Sequence, residues 1–120
     1  MTGSAEVLKN FYAAVIKRDL AKARTYLADD LVFVGLFETY PNADAYIKAL
    51  TGLLQITKEL RIKTIIGEGA EAAVFFDLVT GPPAPATTLV AEWHQARKGK
   101  IYHVESAFDG RAFEAMFTTK

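Results

Sequence analysis

At 120 residues the chain is sized for one compact domain, residues 1–120, and a hydrophobic content of 51% argues against a disordered chain. Fourteen basic side chains balance fourteen acidic ones, so the basic excess of a nucleic-acid binder is missing and no such partner is expected. Cysteine is absent, which removes disulfides, thiol catalysis and thiolate metal sites. A chain that needs no covalent staples, shows no basic leader followed by an apolar run, and has no apolar stretch near bilayer length is expected in the cytoplasm, with no membrane partner.

In chain order, Ser4 is positioned to cap a first helix, with Glu6 in its first turn and Leu8, Phe11, Tyr12, Val15 and Ile16 at helical spacing. Asp19 caps a second helix whose stripe is Leu20, Ala23, Tyr26 and Leu27, ended by Ala28-Asp29-Asp30. Leu31 to Phe37 is short, apolar and rich in β-formers, the pattern of a buried strand. Pro41-Asn42 interrupts the chain, and Asn42 caps a third helix with Tyr46, Ile47, Leu50, Leu53 and Leu54 on its face.

From Lys58 the period changes to two: Leu60, Ile62, Thr64 and Ile66 fall on one face, Glu59, Arg61 and Lys63 on the other. After the turn signal Gly67-Glu68-Gly69, Ala72 to Thr80 forms a second strand, apolar on both faces except at Asp77. The run Gly81-Pro82-Pro83-Ala84-Pro85 is a rigid loop, because three prolines have no place in a central strand. Thr88 to Ala96 and Ile101 to Phe108 complete a sheet around the solvated tip Arg97-Lys98-Gly99-Lys100, and a short apolar tail, Ala112 to Phe117, follows Phe108-Asp109-Gly110-Arg111. Helices first and a meander of long strands afterwards predict an α+β fold.

Three stretches carry a family resemblance: Tyr26-Leu27-Ala28-Asp29-Asp30, Gly99-Lys100-Ile101, and Phe108-Asp109 with Phe113. In this order and spacing the chain resembles the nuclear transport factor 2-like superfamily, the cystatin-like cone fold, over nearly its whole length. It is most similar to the SnoaL-like and limonene-epoxide-hydrolase-like branch. The resemblance implies a cone-shaped, curved, mostly antiparallel sheet packed on three helices, with a pocket inside and homodimers formed through the outer sheet face. It implies no single activity, because the fold hosts many.

The catalytic sets of that superfamily are incompletely matched. The carboxylate base and helix tyrosine of ketosteroid isomerases correspond to Gly35 and Phe11, with Tyr12 one residue off the face. The Arg-x-Asp pair, second aspartate, tyrosine and asparagine of limonene-epoxide hydrolases correspond to Phe75-Phe76-Asp77, Ser106, Phe33 and Gly35, so Asp77 alone survives. The acidic residue of SnoaL-like cyclases, near Ser106, is absent as well. Without an activating base that serine is inert.

The last hairpin decides which polar groups face inward. A three-residue loop Arg97-Lys98-Gly99 pairs Ala96 with Lys100, His94 with Tyr102, Glu92 with Val104 and Val90 with Ser106. A two-residue Lys98-Gly99 turn instead opposes His94 to His103 and Glu92 to Glu105, and like charges directly opposite are unfavourable. In the first, preferred register, with the Ser106 face inner by resemblance, Glu92, His94, Tyr102 and Ser106 line the cavity. The resemblance adds Phe75 and Asp77 from the preceding strand. Trp93, His103 and Glu105 fall outside, where a homodimer partner could cover them. The two histidines then lie on opposite faces, so no metal site is expected, and nothing calls for a cofactor.

Glu92 and His94, two apart on one face and about 7 Å apart at the backbone, can relay a proton or simply satisfy each other. The candidate catalytic residues are therefore Asp77, Glu92 and His94. The candidate pocket residues are Phe11, Val15, Phe33 and Phe75, with Val90, Tyr102, Ser106 and Phe108; the aromatics among them also read as ordinary core. The expected function is binding of a small hydrophobic molecule. The alternatives are an isomerase, cyclase or epoxide hydrolase on the same scaffold, and a structural dimer module.

Overall fold

The computed structural model describes residues 3–114; Ala115, Met116 and Phe117 of the expected apolar tail lie outside them. Helix α1 spans Ser4–Ile16, α2 Leu20–Arg24 and α3 Ala43–Leu54. Strands β1 (Leu27–Val34), β2 (Thr39–Tyr40), β3 (Thr57–Glu68), β4 (Glu71–Thr80), β5 (Ala86–Arg97) and β6 (Lys100–Phe108) form one curved, unclosed sheet in the order β2-β1-β6-β5-β4-β3. The β1–β6 pair is parallel and the others antiparallel, so the sheet is mixed. Its concave face packs on the helices.

The caps explain two helix starts. Asp19 accepts from the Lys22 amide at 3.1 Å and Asn42 from the Ala45 amide at 2.8 Å, each satisfying an amide left free by the first turn. Ser4 does not cap α1. Gly3 holds that position without a side-chain bond, and the buried Ser4 Oγ donates to the Glu71 carbonyl at 2.8 Å, pinning the helix to the start of β4.

The second helix is shorter and the first strand earlier than the periodicity predicts. Leu27 is a strand residue opposite Ile101, and the Ile101 amide donates to the Tyr26 carbonyl at 2.8 Å. Pairing with β6 therefore overrides a helical stripe. Asp29 belongs to β1, and Arg24 at the end of α2 holds both Asp29 and Asp44.

Register shifts reset the faces of the long strands. In β3, Ile62 is opposite Phe76 and Thr64 opposite Phe75, which leaves Lys63 as an extra residue. Because side-chain direction alternates, one inserted residue exchanges the faces beyond it. Ile65 packs against the core, and Ile66, expected inside, is 61% exposed.

In the last hairpin Lys98 and Gly99 both have positive φ, 53° and 77°, so the turn has two residues and Arg97 pairs with Lys100. A bulge at Tyr102 then moves the pairing on by one: His94 meets Val104, Glu92 meets Ser106 and Val90 meets Phe108. The preferred three-residue loop is absent; the two-residue alternative holds at the turn, and its pairing ends after Ala96 with Ile101. The bulge nonetheless avoids setting Glu92 against Glu105, and its parity keeps Glu92, His94 and Ser106 on one face.

Candidate functional site

The concave face of the sheet, α3 and the segment 35–38 enclose a cavity of about 170 Å³. Tyr46, Leu50 and Leu53 of α3 form one wall; Phe76, Val90 and Phe108 of the sheet form the opposite one. The α3 stripe that reads as core in the sequence is thus partly a cavity wall. A 3₁₀ turn, Gly110–Phe113, adds Phe113, whose ring meets Phe108 edge-on at 5.9 Å. Any side chain at Gly110 would collide with Leu36 and Phe37, so glycine lets this turn close against the cavity mouth. Asp109 caps the turn, and the Arg111 guanidinium beside it holds its carboxyl down to about 2.

At the inner end lies a buried polar group. Glu92 is 7% exposed and lines the cavity; His94, 1% exposed, sits behind it. The Tyr12 hydroxyl donates to Glu92 Oε1, and His94 Nε2 lies 3.0 Å from that same oxygen. His94 Nδ1 has no partner among the described residues. The hydrogen bonding therefore favours the tautomer in which Nε2 carries the proton, because a proton on Nδ1 would be a buried donor without an acceptor.

Burial, then the negative charge of Glu92, pushes the Tyr12 phenol well above its ordinary value. The Tyr46 phenol is raised well above its own for the same two reasons. Aromatic packing fixes these groups: Tyr12 is edge-on to Phe11 at 5.0 Å and to His94 at 6.0 Å, and Tyr46 stacks on Phe33 at 4.5 Å. Rings held on several sides lose their alternative rotamers, so the polar end is preorganised.

The structure brings together Glu92, Phe33, Val90, Ser106 and Phe108 at the cavity, with His94 immediately behind Glu92. Five other candidates do not line the cavity. Phe11 and Val15 are wholly buried on α1 and are core, because the α1 residue that reaches the cavity is Tyr12. Phe75 and Asp77 point outward, because β4 buries its even-numbered residues and Phe76 takes the inner position. Asp77 instead lies 3.4 Å from Lys63 and 3.8 Å from Arg61 on the outer face. Tyr102 is carried outward by its bulge and lies under the Arg97 guanidinium at 4.2 Å.

Tyr12, Tyr46 and Phe76 are among the cavity residues that the sequence reading missed. The signal for Tyr12 was its helical spacing with Leu8 and Val15, all three buried on one face of α1. Trp93 and His103 lie on the outer face, edge-on at 5.8 Å, and His103 Nε2 is 3.0 Å from Glu105. No cluster of potential metal ligands occurs among the described residues, and none of their helices is long and apolar enough to cross a membrane.

A mixed, curved sheet wrapped around helices over an internal cavity is the nuclear transport factor 2-like, cystatin-like α+β architecture. Solved structures share it: a protein from Kribbella flavida has 21% identity and a TM-score of 0.87, covering 95% of this chain and 93% of its own. A cystatin-like-fold protein from Silicibacter pomeroyi has 22% identity and a TM-score of 0.79, covering 96% and 85%. An epoxide hydrolase of the limonene-epoxide-hydrolase-like type from M. tuberculosis has 20% identity and a TM-score of 0.75, covering 94% and 87%. The SnoaL-like domain profile matches residues 8–104, and the chain belongs to that family. Among curated proteins, none matches the sequence.

Proposed function

We propose that this SnoaL-like domain binds a small, largely apolar molecule in the cavity and orients it through one hydrogen-bond donor directed at Glu92. The observation that carries this reading is a buried carboxyl at the inner end of a largely apolar hollow. Both intramolecular bonds fall on Oε1, which leaves Oε2 as the cavity-side acceptor. An apolar cavity of roughly 150 Å³ accommodates benzene, so about 170 Å³ suits a ligand of one ring with a short substituent. Toluene and benzyl alcohol are suitable probes. Both should show saturation transfer in ligand-observed NMR, and a Val90→Trp variant that keeps its circular dichroism should lose it. Absence of transfer to the unaltered protein from both probes would remove the reading.

A catalytic reading is supported by the convergence of a phenol and an imidazole on one carboxylate oxygen. In it Glu92 is the general base through Oε2, and Tyr12 and His94 position its carboxyl by their bonds to Oε1. Asp77, on the outer face, has no part. The protein should then accelerate α-deuteration of 1-indanone in heavy water, and Glu92→Gln should abolish the acceleration. An unchanged rate in that variant would exclude Glu92 as the base.

The outer face is proposed as a homodimer contact centred on Trp93, His103 and Glu105, since Trp93 leaves 38% of its surface exposed on an open sheet. Sedimentation of Trp93→Glu should shift toward monomer; a dimer unaffected by that charge would place the contact elsewhere.

A further inference from the structure

The charge balance of the cavity narrows the ligand class. Among the described residues that line it, two are carboxylic acids, Glu92 within and Glu38 near the mouth, and none is lysine, arginine or histidine. Glu38 stands beside Tyr40, whose phenol is raised by burial and then by the Glu38 charge. The one potentially cationic group paired with Glu92 is His94. It sits behind Glu92 and does not line the cavity, and its Nδ1 has no partner among the described residues.

The walls complement this charge. Tyr12, Tyr46, Phe33 and Phe76 surround the buried end, and Phe108 and Phe113 close the other side. These rings offer an apolar wall to a hydrocarbon group, and the Glu92 carboxylate beside them repels an anion. On the cavity side Glu92 meets no cationic side chain, and an ammonium ligand would supply an ionic partner there.

We infer that the cavity selects a small apolar amine in its ammonium form, with the nitrogen against Glu92 and the hydrocarbon ring among the aromatic walls. This inference rests on the pocket reading above and adds to it the charge of the ligand. It requires the cavity as the binding site and Glu92 as the ionic partner.

Calorimetric titration near neutral pH with benzylamine, benzyl alcohol and toluene, matched in size and differing in head group, tests it. Benzylammonium should bind at least tenfold more tightly than benzyl alcohol, and toluene more weakly still. In Glu92→Gln the amine should lose its advantage, with benzyl alcohol little changed. Glu38→Gln at the mouth should weaken the amine by a smaller factor, about twofold.

If benzyl alcohol or toluene binds the unaltered protein as well as the amine does, the cation inference is overturned while the pocket reading stands. If none of the three binds, both fall together. The ranking in the unaltered protein decides the matter even if Glu92→Gln fails to fold.

Discussion

Glu92 and Asp77 are carboxylates on neighbouring antiparallel strands, and they live in opposite environments. Glu92 is buried on the concave face, where a phenol and an imidazole meet one of its oxygens. Asp77 lies on the outer face between Lys63 and Arg61, with 20% of its side chain exposed. In the register of β4 and β5, Asp77 is opposite Leu89 and Glu92 opposite Val74. Since facing residues share a side of the sheet, parity along each strand separates the two acids. Burial with few partners makes one a candidate for chemistry; solvent and two surface cations make the other a solubilising group.

The same parity divides adjacent aromatic residues, which gives the largest expected effect. Phe76 is 5% exposed and touches Tyr12 at 5.5 Å between ring centres, whereas Phe75 is on the outer face. Phe76→Ala should cost about 3–5 kcal/mol in chemical denaturation, because transfer and cavity terms add. Phe75→Ala should cost about 1 kcal/mol. Equal losses would show that the outer face is as thoroughly covered as the inner one.

Tyr12→Phe comes next. It deletes a donor to Glu92 while keeping the ring, and a bond to a charged group contributes about 1.5–3 kcal/mol. Denaturant midpoints should fall accordingly, and benzyl alcohol should bind differently because Glu92 is freer to turn. A midpoint equal to that of the unaltered protein would mean that the phenol and carboxyl do not interact in solution.

Base provides a related measurement. Tyr12 and Tyr46 are raised well above the ordinary phenol value of 10.0 by burial and by the charge of Glu92. A group whose folded pKa exceeds its unfolded one gives stability that is complete below the unfolded value and is lost as pH rises above it toward the folded value. Stability should therefore decline from about pH 10 upward. Phenolate absorbance from these two residues should appear together with unfolding. A variant with both Tyr12→Phe and Tyr46→Phe should decline less steeply; ionisation of both phenols at ordinary pH in the folded protein would contradict their burial.

The sequence announced the element types through local chemistry. Asp19 and Asn42 start helices where side-chain caps demand, and the change from helical to two-residue periodicity after Lys58 marks the sheet. The faces were harder. The bulges at Lys63 and Tyr102 answer sheet curvature and cross-strand pairing, which no local pattern encodes, so Ile66 and Tyr102 were assigned to the wrong side. Glu92, His94 and Ser106 kept their expected face because two departures, a shorter turn and an extra residue, preserve parity together. On β4 no such compensation occurs: a strand apolar on both faces offers no contrast to reveal that Phe76, and not Phe75, points inward. Tyr12 was passed over because the resemblance aligned its neighbour Phe11 with the functional position, although both rings are buried.

The smallest effect tests the outer member of the original pair. Arg61 is directly opposite Asp77 in the β3–β4 register, and Lys63, the extra residue of the bulge, approaches to 3.4 Å. Both cations are about half exposed, and Arg61 also meets Glu59 at 2.8 Å. Such cross-strand pairs in water contribute about 0.2–1 kcal/mol and weaken as salt screens them. Asp77→Asn should therefore lower stability by about 0.5 kcal/mol at low ionic strength, with the difference shrinking in high salt. Benzyl alcohol binding should stay the same, because the carboxyl and the cavity are on opposite sides of the sheet. Loss of binding in Asp77→Asn, at unchanged stability, would mean that β4 presents its odd-numbered residues to the ligand, and the separation of the two acids would collapse with it.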